Sequence, residues 1–192
     1  MPELPGCMAH GATRQQAIKN AEDAIQFWIK LAREAGVEIP QQGVPLEIGR
    51  GRIIRSGNGV AILSLGTHLG EAIQAAKDLE AYGLSITVAD ARFAKPLDTT
   101  MITRLVNEHE VLITLEEGAT GGFAAQVLHF LATNGMLDRG LKIRPLCLPD
   151  RFIDHDTPEK MYASAGLDAP HIVMTVLSAL GIEARQAGVL RA

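Results

Sequence analysis

The sequence predicts an α/β domain of three layers. A mostly parallel sheet with one antiparallel hairpin strand lies between helices, and a short strand and an amphipathic helix precede it. Three observations lead there. From residue 60 onward, short apolar runs alternate with stretches whose apolar residues recur at helical spacing. The runs at 60–65 and 111–115 are apolar almost throughout, as strands buried on both faces are. Between 48–55 and 60–65 stands Ser56-Gly57-Asn58-Gly59, and Asn-Gly is the strongest short hairpin-turn signal.

The elements follow in order. Thr13 is a good N-cap, and Gln16 three residues later completes a capping-box pattern. After it Ala17, Ile18, Ala21, Ala24, Ile25, Trp28, Leu31 and Ala35 recur at helical spacing, with Gly36 as the stop. Gln41 to Gly43 mark a junction, so the chain divides into 1–42, a main domain at 43–182 and a tail at 183–192. Past the hairpin, Leu69, Ala72, Ile73, Ala76 and Leu79 predict a helix ending at Gly83, followed by a strand over 84–89. Asp98 or Thr99 caps the next helix, and the strand at 111–115 runs through a glycine turn into a helix beginning at Gly122. The strand at 141–148 contains Pro145, which has no amide to donate, and therefore belongs near an edge. Thr157-Pro158 opens a short helix, and Asp168 and Pro170 introduce the last one, which Gly181 ends.

Composition narrows the function. Of 192 residues, 47% are hydrophobic, enough for a real core. The net charge of −4, from 18 basic and 22 acidic residues, comes without any block of like charge, so nucleic acid is not an expected partner. Cys7 and Cys147 form no C-x-x-C pair, which argues against zinc and thioredoxin-like chemistry and favours free thiols over a bridge. With no basic-plus-apolar leader and no apolar run of membrane-spanning length, the expectation is a cytoplasmic protein without a membrane partner.

Two resemblances add to this. P-E-L-P-G-C-M-A-H-G-A-T-R-Q-Q-A-I-K-N-A-E-D-A-I-Q-F-W-I, followed by G-V-E-I-P, resembles the second half of the HicB-like antitoxin domain, which implies a HicA-like toxin or RNA as partner. The family's leading strands and DNA-binding tail have no counterpart in these residues. The order of motifs from 43 to 181 is similar to the C-terminal domain of 1-deoxy-D-xylulose-5-phosphate synthase, of the transketolase group. It is carried by G-V-P-L-E-I-G-R-G-R at 43–52, V-A-I-L-S-L-G-T at 60–67, V-A-D-A-R-F-A-K-P-L-D at 88–98, H-E-V-L-I-T-L-E-E-G at 109–118, G-G-F at 121–123 and L-P-D-R-F-I-D-H at 148–155. The resemblance implies a transferase heritage in isoprenoid biosynthesis, dependent on thiamine diphosphate and magnesium. It also implies a domain that supports the dimer and braces the two cofactor-binding domains. No Gly-Asp-Gly metal motif occurs in the sequence, so no cofactor is expected to bind this chain and no synthase activity is expected from it alone. The partners expected are a second copy or the remaining synthase domains.

No catalytic or metal-binding set is expected. The candidates for an interface or for an anion are Arg92, Lys95, Glu116, Glu117, Gly121, Gly122, Asp150 and Arg151. Glu116 and Glu117 are adjacent on a strand end and must point to opposite faces, which is poor geometry for joint action on one atom. One of them can cap the turn that follows. Gly118 to Gly122 before a helix could cradle a phosphate, but fits neither G-x-G-x-x-G nor the P-loop pattern, so a nucleotide or phosphate binder is the weaker alternative. Arg92 and Lys95 could hold an anion or a carboxylate of another domain. Asp154-His155-Asp156 has metal-ligand residue types, yet three consecutive residues rarely face one ion, and a solvated loop is expected. His10, His68, His109, His129 and His171 form no constellation in the sequence.

Overall fold

The computed structural model describes residues 46–182 throughout, together with Thr13 and a set of helical positions between 15 and 30. The chain divides into two units, Met1–Glu47 and Ile48–Ala192. In the first, the Gln16 amide donates to Thr13 Oγ1 at 3.2 Å, the cap its sequence predicts. The Pro-Gly-Cys strand, Trp28, the Gly36 stop and the 183–192 tail lie outside the described residues.

In the second unit the strands are β1 Arg52–Arg55, β2 Gly59–Leu65, β3 Thr87–Asp90, β4 His109–Ala119 and β5 Lys142–Leu148. The helices are α1 Leu69–Asp78, prolonged by a 3-10 turn at Leu79–Tyr82, then α2 Thr99–Glu108, α3 Phe123–Thr133, α4 Pro158–Ala165 and α5 Ala169–Leu180. A second 3-10 turn, Met136–Arg139, follows α3. The sheet order is β1-β3-β2-β4-β5. All neighbours are parallel except β1, which runs antiparallel to β3.

Strand alternation sorts the core into two sides. Val60 and Ile62 of β2, with Val111 and Ile113 of β4, face α1 and α5 through Ala72, Ala76, Ile172 and Val176. Ala61 and Leu63, with Leu112, face α2 and α3 through Ile102, Leu105, Phe123 and Val127. The expected three-layer α/β domain is therefore present, with an apolar core on each side of the sheet. The stretch Pro158–Leu180 is long and apolar enough to cross a bilayer by length and composition. It breaks at Gly166, which is left-handed at φ 78°, and the apolar face of α5 is spent on the core.

One expectation is corrected. The residues at 48–55 and 60–65 do not form a hairpin, because β1 pairs with β3, with Arg52 opposite Asp90 and Ile53 opposite Ala89. Both edges of β2 are taken by parallel neighbours, β3 and β4, so β1 has no place beside it. The Ser56–Gly59 link instead passes the start of β3. The Asn58 amide donates to the Ser85 carbonyl at 2.7 Å and the Gly57 amide to Thr87 Oγ1 at 2.9 Å. A Cβ on Gly57 would overlap the Ser85 carbonyl, so glycine is required by close approach here and not by a hairpin turn.

Thr87 continues this contact inward. His109 Nδ1 lies 2.8 Å from the Leu105 carbonyl, which can only accept, so the ring proton sits on Nδ1. Nε2 then accepts from the Thr87 hydroxyl at 2.8 Å. The chain Gly57–Thr87–His109–Leu105 thus joins the crossover to the end of α2 with every donor used.

Candidate functional site

The strand order places the two halves of the parallel sheet back to back at one point. From β2 the chain leaves to α1 on one face, and from adjacent β4 it leaves to α3 on the other. A crevice opens between such strand ends, and ligands of open α/β sheets bind there. Here Thr67, His68, Glu117 and Tyr162 meet.

Glu116 and Glu117 part across the sheet, as alternation demands. Glu116, 5% exposed, turns toward α3. Its Oε2 accepts from the Phe123 amide and its Oε1 from the Ala124 amide, each at 2.8 Å. Two orphan donors of the helix N-terminus are satisfied, and the negative charge sits at the positive end of the helix dipole. A Cβ on Gly118 or Gly122 would overlap Glu116 Oε2. The glycines therefore make room for this carboxylate.

That arrangement answers whether the turn fits a diphosphate. It does not: the amides an external anion would need are already donated to Glu116, and its charge would repel the newcomer. Gly121, at φ 100°, serves the turn itself.

Glu117 faces the other way. Its Oε1 accepts from the Tyr162 hydroxyl and its Oε2 from the Thr67 hydroxyl, both at 2.7 Å. These bonds tie the ends of β2 and β4 to α4. The Tyr162 bond, more than any other influence, holds the Glu117 carboxyl below the usual carboxylate range. The same bond pushes the Tyr162 phenol up to about 12. The His68 ring stands edge-on to Tyr162, with centroids 4.5 Å apart. His68 is 2% exposed, and its Nε2 has no hydrogen-bond partner among the described residues. Burial lowers its pKa, against the opposing pull of Glu117 and Glu71, and so favours the neutral ring. An unmatched buried polar atom of this kind costs about 1–3 kcal/mol. Beside this cluster is a cavity of about 490 Å³, walled by Thr67, His68, Glu71, Pro158, Glu159, Lys160, Tyr162, Ala163 and Asp168.

The other predicted residues stand along the same rim and are engaged locally. Arg92, a non-glycine residue at φ 56°, gives its amide to Asp90 Oδ1 at 3.0 Å, and its Nε lies 3.9 Å from Oδ2. Arg52 Nε donates to the same Oδ2 at 3.1 Å, so the buried carboxylate beside Arg92 is one of the domain's own. Lys95 is exposed in the loop before α2. Arg151 reaches back to the Ser164 carbonyl at 2.7 Å, fastening the loop after β5 to α4, whereas Asp150 is exposed. Beyond Arg151, Phe152 is fully exposed at 105%. Asp156 accepts from the Thr157 amide and from Lys160 Nζ, as a loop residue leading into a helix does.

Reasoning from sequence singled out Glu117 but missed Thr67, His68 and Tyr162 as its companions. They come from positions 45 to 50 residues away. The one available signal was Gly66-Thr67-His68 at the carboxyl end of an apolar strand, and it matches no nucleotide fingerprint.

Comparison with known proteins places this geometry. Residues 49–172 match the family described as Transketolase, C-terminal domain. The chain belongs to that family. Residues 1–49 match the HicB_like antitoxin of bacterial toxin-antitoxin system. Among solved structures, one described as "Split gene transketolase, inactive beta4 tetramer" is similar, with a TM-score of 0.66 and 28% identity over 76% of this chain. The match spans 46% of that protein's length. The matched residues include the motifs at 60–67, 109–118 and 121–123, which build β2, β4 and the Glu116-capped turn.

Proposed function

We propose that this chain is the C-terminal domain of a thiamine-diphosphate-dependent, 1-deoxy-D-xylulose-5-phosphate synthase-like protein of the cytoplasm. It gives dimerisation and interdomain support and is not catalytic by itself. The observation that carries this reading is the Glu116 cap. The glycine-rich turn that could hold an anion is filled by the domain's own carboxylate, which in a transketolase family domain favours a supporting role. The similar structure described as a split-gene transketolase in an inactive beta4 tetramer supports the reading of a domain that is not catalytic by itself. The rim residues Lys95, Asp150, Arg151 and Phe152 are exposed, and on this reading they are the surface that a neighbouring domain covers. Calorimetric titration with thiamine diphosphate and magnesium should give no saturable heat. Pyruvate and glyceraldehyde 3-phosphate should not turn over unless separately purified cofactor-binding domains of a synthase are added. Saturable cofactor binding, or turnover by the chain alone, sinks the proposal.

A second reading rests on the match at residues 1–49. Here the amino-terminal segment is an antitoxin-like module for a HicA-like toxin or RNA. Co-purification with such a toxin supports it, and no binding at micromolar concentration removes it.

A further inference from the structure

Residues 149–166, the loop after β5 together with α4, are held differently from the rest of the domain. From 150 to 160 every residue but Ile153 is exposed, and none of the eight residues of α4 is buried. The helix reaches the core through Tyr162 and Ala165, and among the described residues no other strand or helix packs along its length. The segment is nonetheless tied within itself. Arg151 Nη2 donates to the Ser164 carbonyl at 2.7 Å, and Lys160 Nζ to Asp156 Oδ1 at 3.1 Å. Leu148 of β5 bounds it on one side. On the other, Gly166, left-handed at φ 78°, leads to Leu167, which is wholly buried and whose amide caps α4 at the Tyr162 carbonyl. Apart from that cap, one hydrogen bond among the described residues joins the segment to the rest of the domain. It runs from the Tyr162 hydroxyl to Glu117 Oε1 at 2.7 Å. Beside it stand Thr67, which donates to the same carboxylate, and His68, edge-on to the Tyr162 ring and 2% exposed.

We propose that residues 149–166 are a strap that opens as one unit, with the Tyr162–Glu117 bond as its latch, and that opening uncovers the crevice between β2 and β4. Segments with few buried apolar contacts open at lower free energy than the core does. Here two partly buried side chains supply that contact, whereas α5 buries Ile172, Val173, Val176 and Leu177. The bonds within the segment, from Arg151 to Ser164 and from Lys160 to Asp156, make it leave together and not residue by residue. Once released, α4 has little to keep it helical, because an isolated helix shorter than about 12 residues is marginal in water. Its amides then exchange with solvent, while those of α5 wait for the whole domain to unfold. The strap thus decides when Thr67, His68 and Glu117 meet anything from outside.

Native-state hydrogen exchange of the full chain, followed by NMR in low urea, tests this. The amides from Met161 to Ala165 should share one opening that is nearly independent of urea, and α5 amides should show the full urea slope of global unfolding. Tyr162→Phe keeps the ring and removes the latch, and should speed α4 exchange roughly two- to ten-fold. Val127→Ala acts on the core across the sheet, so it should speed α5 exchange and leave α4 unchanged. Carbethoxylation of His68 by diethyl pyrocarbonate, read by peptide mass, should rise in Tyr162→Phe along with α4 exchange. The proposal is overturned if α4 amides follow α5 in urea and in Val127→Ala, if their rates differ residue by residue, or if they ignore the loss of the latch. Unchanged modification of His68 in Tyr162→Phe overturns the uncovering of the crevice.

Discussion

At the scale of single residues, Glu116 shows how one side chain closes a question of function. A carboxylate moved out of water loses several kcal/mol of hydration, and only close, charge-assisted donors offset that. The amides of Phe123 and Ala124 do so at 2.8 Å, in a position where the helix dipole adds its field. Glu116→Gln keeps the shape but turns an NH2 group against one of those donors. The expected loss is about 1–3 kcal/mol, read as a lower urea midpoint at unchanged slope. An unchanged midpoint would show that the cap contributes nothing. His68 gives a pH signature. Burial lowers its folded pKa below the ordinary value of 6.5, so the unfolded chain binds the proton more readily. Stability is full above about pH 6.5 and falls as pH drops below it toward the folded pKa. Urea melts between pH 7.5 and 5.5 should show this slope, and His68→Gln should flatten it. Tyr162 acts at the other end. With its phenol raised to about 12, stability should decline as pH rises above the ordinary tyrosine value of 10.0, and Tyr162→Phe should remove that part of the decline.

At the scale of elements, the link between β1 and β2 is the informative one. Local turn chemistry favours a hairpin, yet the second strand has both edges filled, and two parallel ladders outweigh one turn preference. What looks like turn punctuation is a passage past β3, held by Gly57 and Asn58 against Ser85 and Thr87. Gly57→Ala should therefore be costly, because the added methyl meets a backbone carbonyl that cannot swing away. Overpacking of this kind typically destabilises by about 1–3 kcal/mol. Thermal melts of Gly57→Ala beside Gly59→Ala discriminate the causes. At Gly59 no heavy atom lies within 4 Å of the added Cβ and only the positive φ of 73° opposes it, so the loss there should be smaller. Equal losses would show that conformational freedom, not close approach, governs this link. Asp98 joins elements in a similar way, taking the Gly51 amide at 3.0 Å and the Met101 amide at 2.8 Å, and so ties the entry to β1 to the start of α2.

At the scale of the whole molecule, the proposed role makes a statement about mass. A supporting domain of a dimeric enzyme group should self-associate, so sedimentation of the full chain should give twice the 20.6 kDa chain mass. A single-chain mass at tens of micromolar would remove the dimer from the proposal. Repeating the measurement without residues 1–42 tells whether the antitoxin-like segment takes part.

Much of this architecture was legible in advance. Apolar runs such as Val60-Ala61-Ile62-Leu63 can only be strands covered on both faces, because each face meets an apolar layer. Helix limits were legible where local chemistry sets them, as at the Asp98 and Asp168 caps and at Gly83 and Gly181. The opposite directions of Glu116 and Glu117 follow from the strand period alone. Tertiary structure decided the partner of β1, since edge occupancy is a property of the assembled sheet. It also decided what fills the glycine turn. Local pattern announces room for an anion, but only the folded chain shows that the anion is its own Glu116. The Thr67–His68–Glu117–Tyr162 cluster is the clearest case. Its members lie far apart in sequence, and a crevice exists only once β2 and β4 stand side by side with their helices leaving in opposite directions.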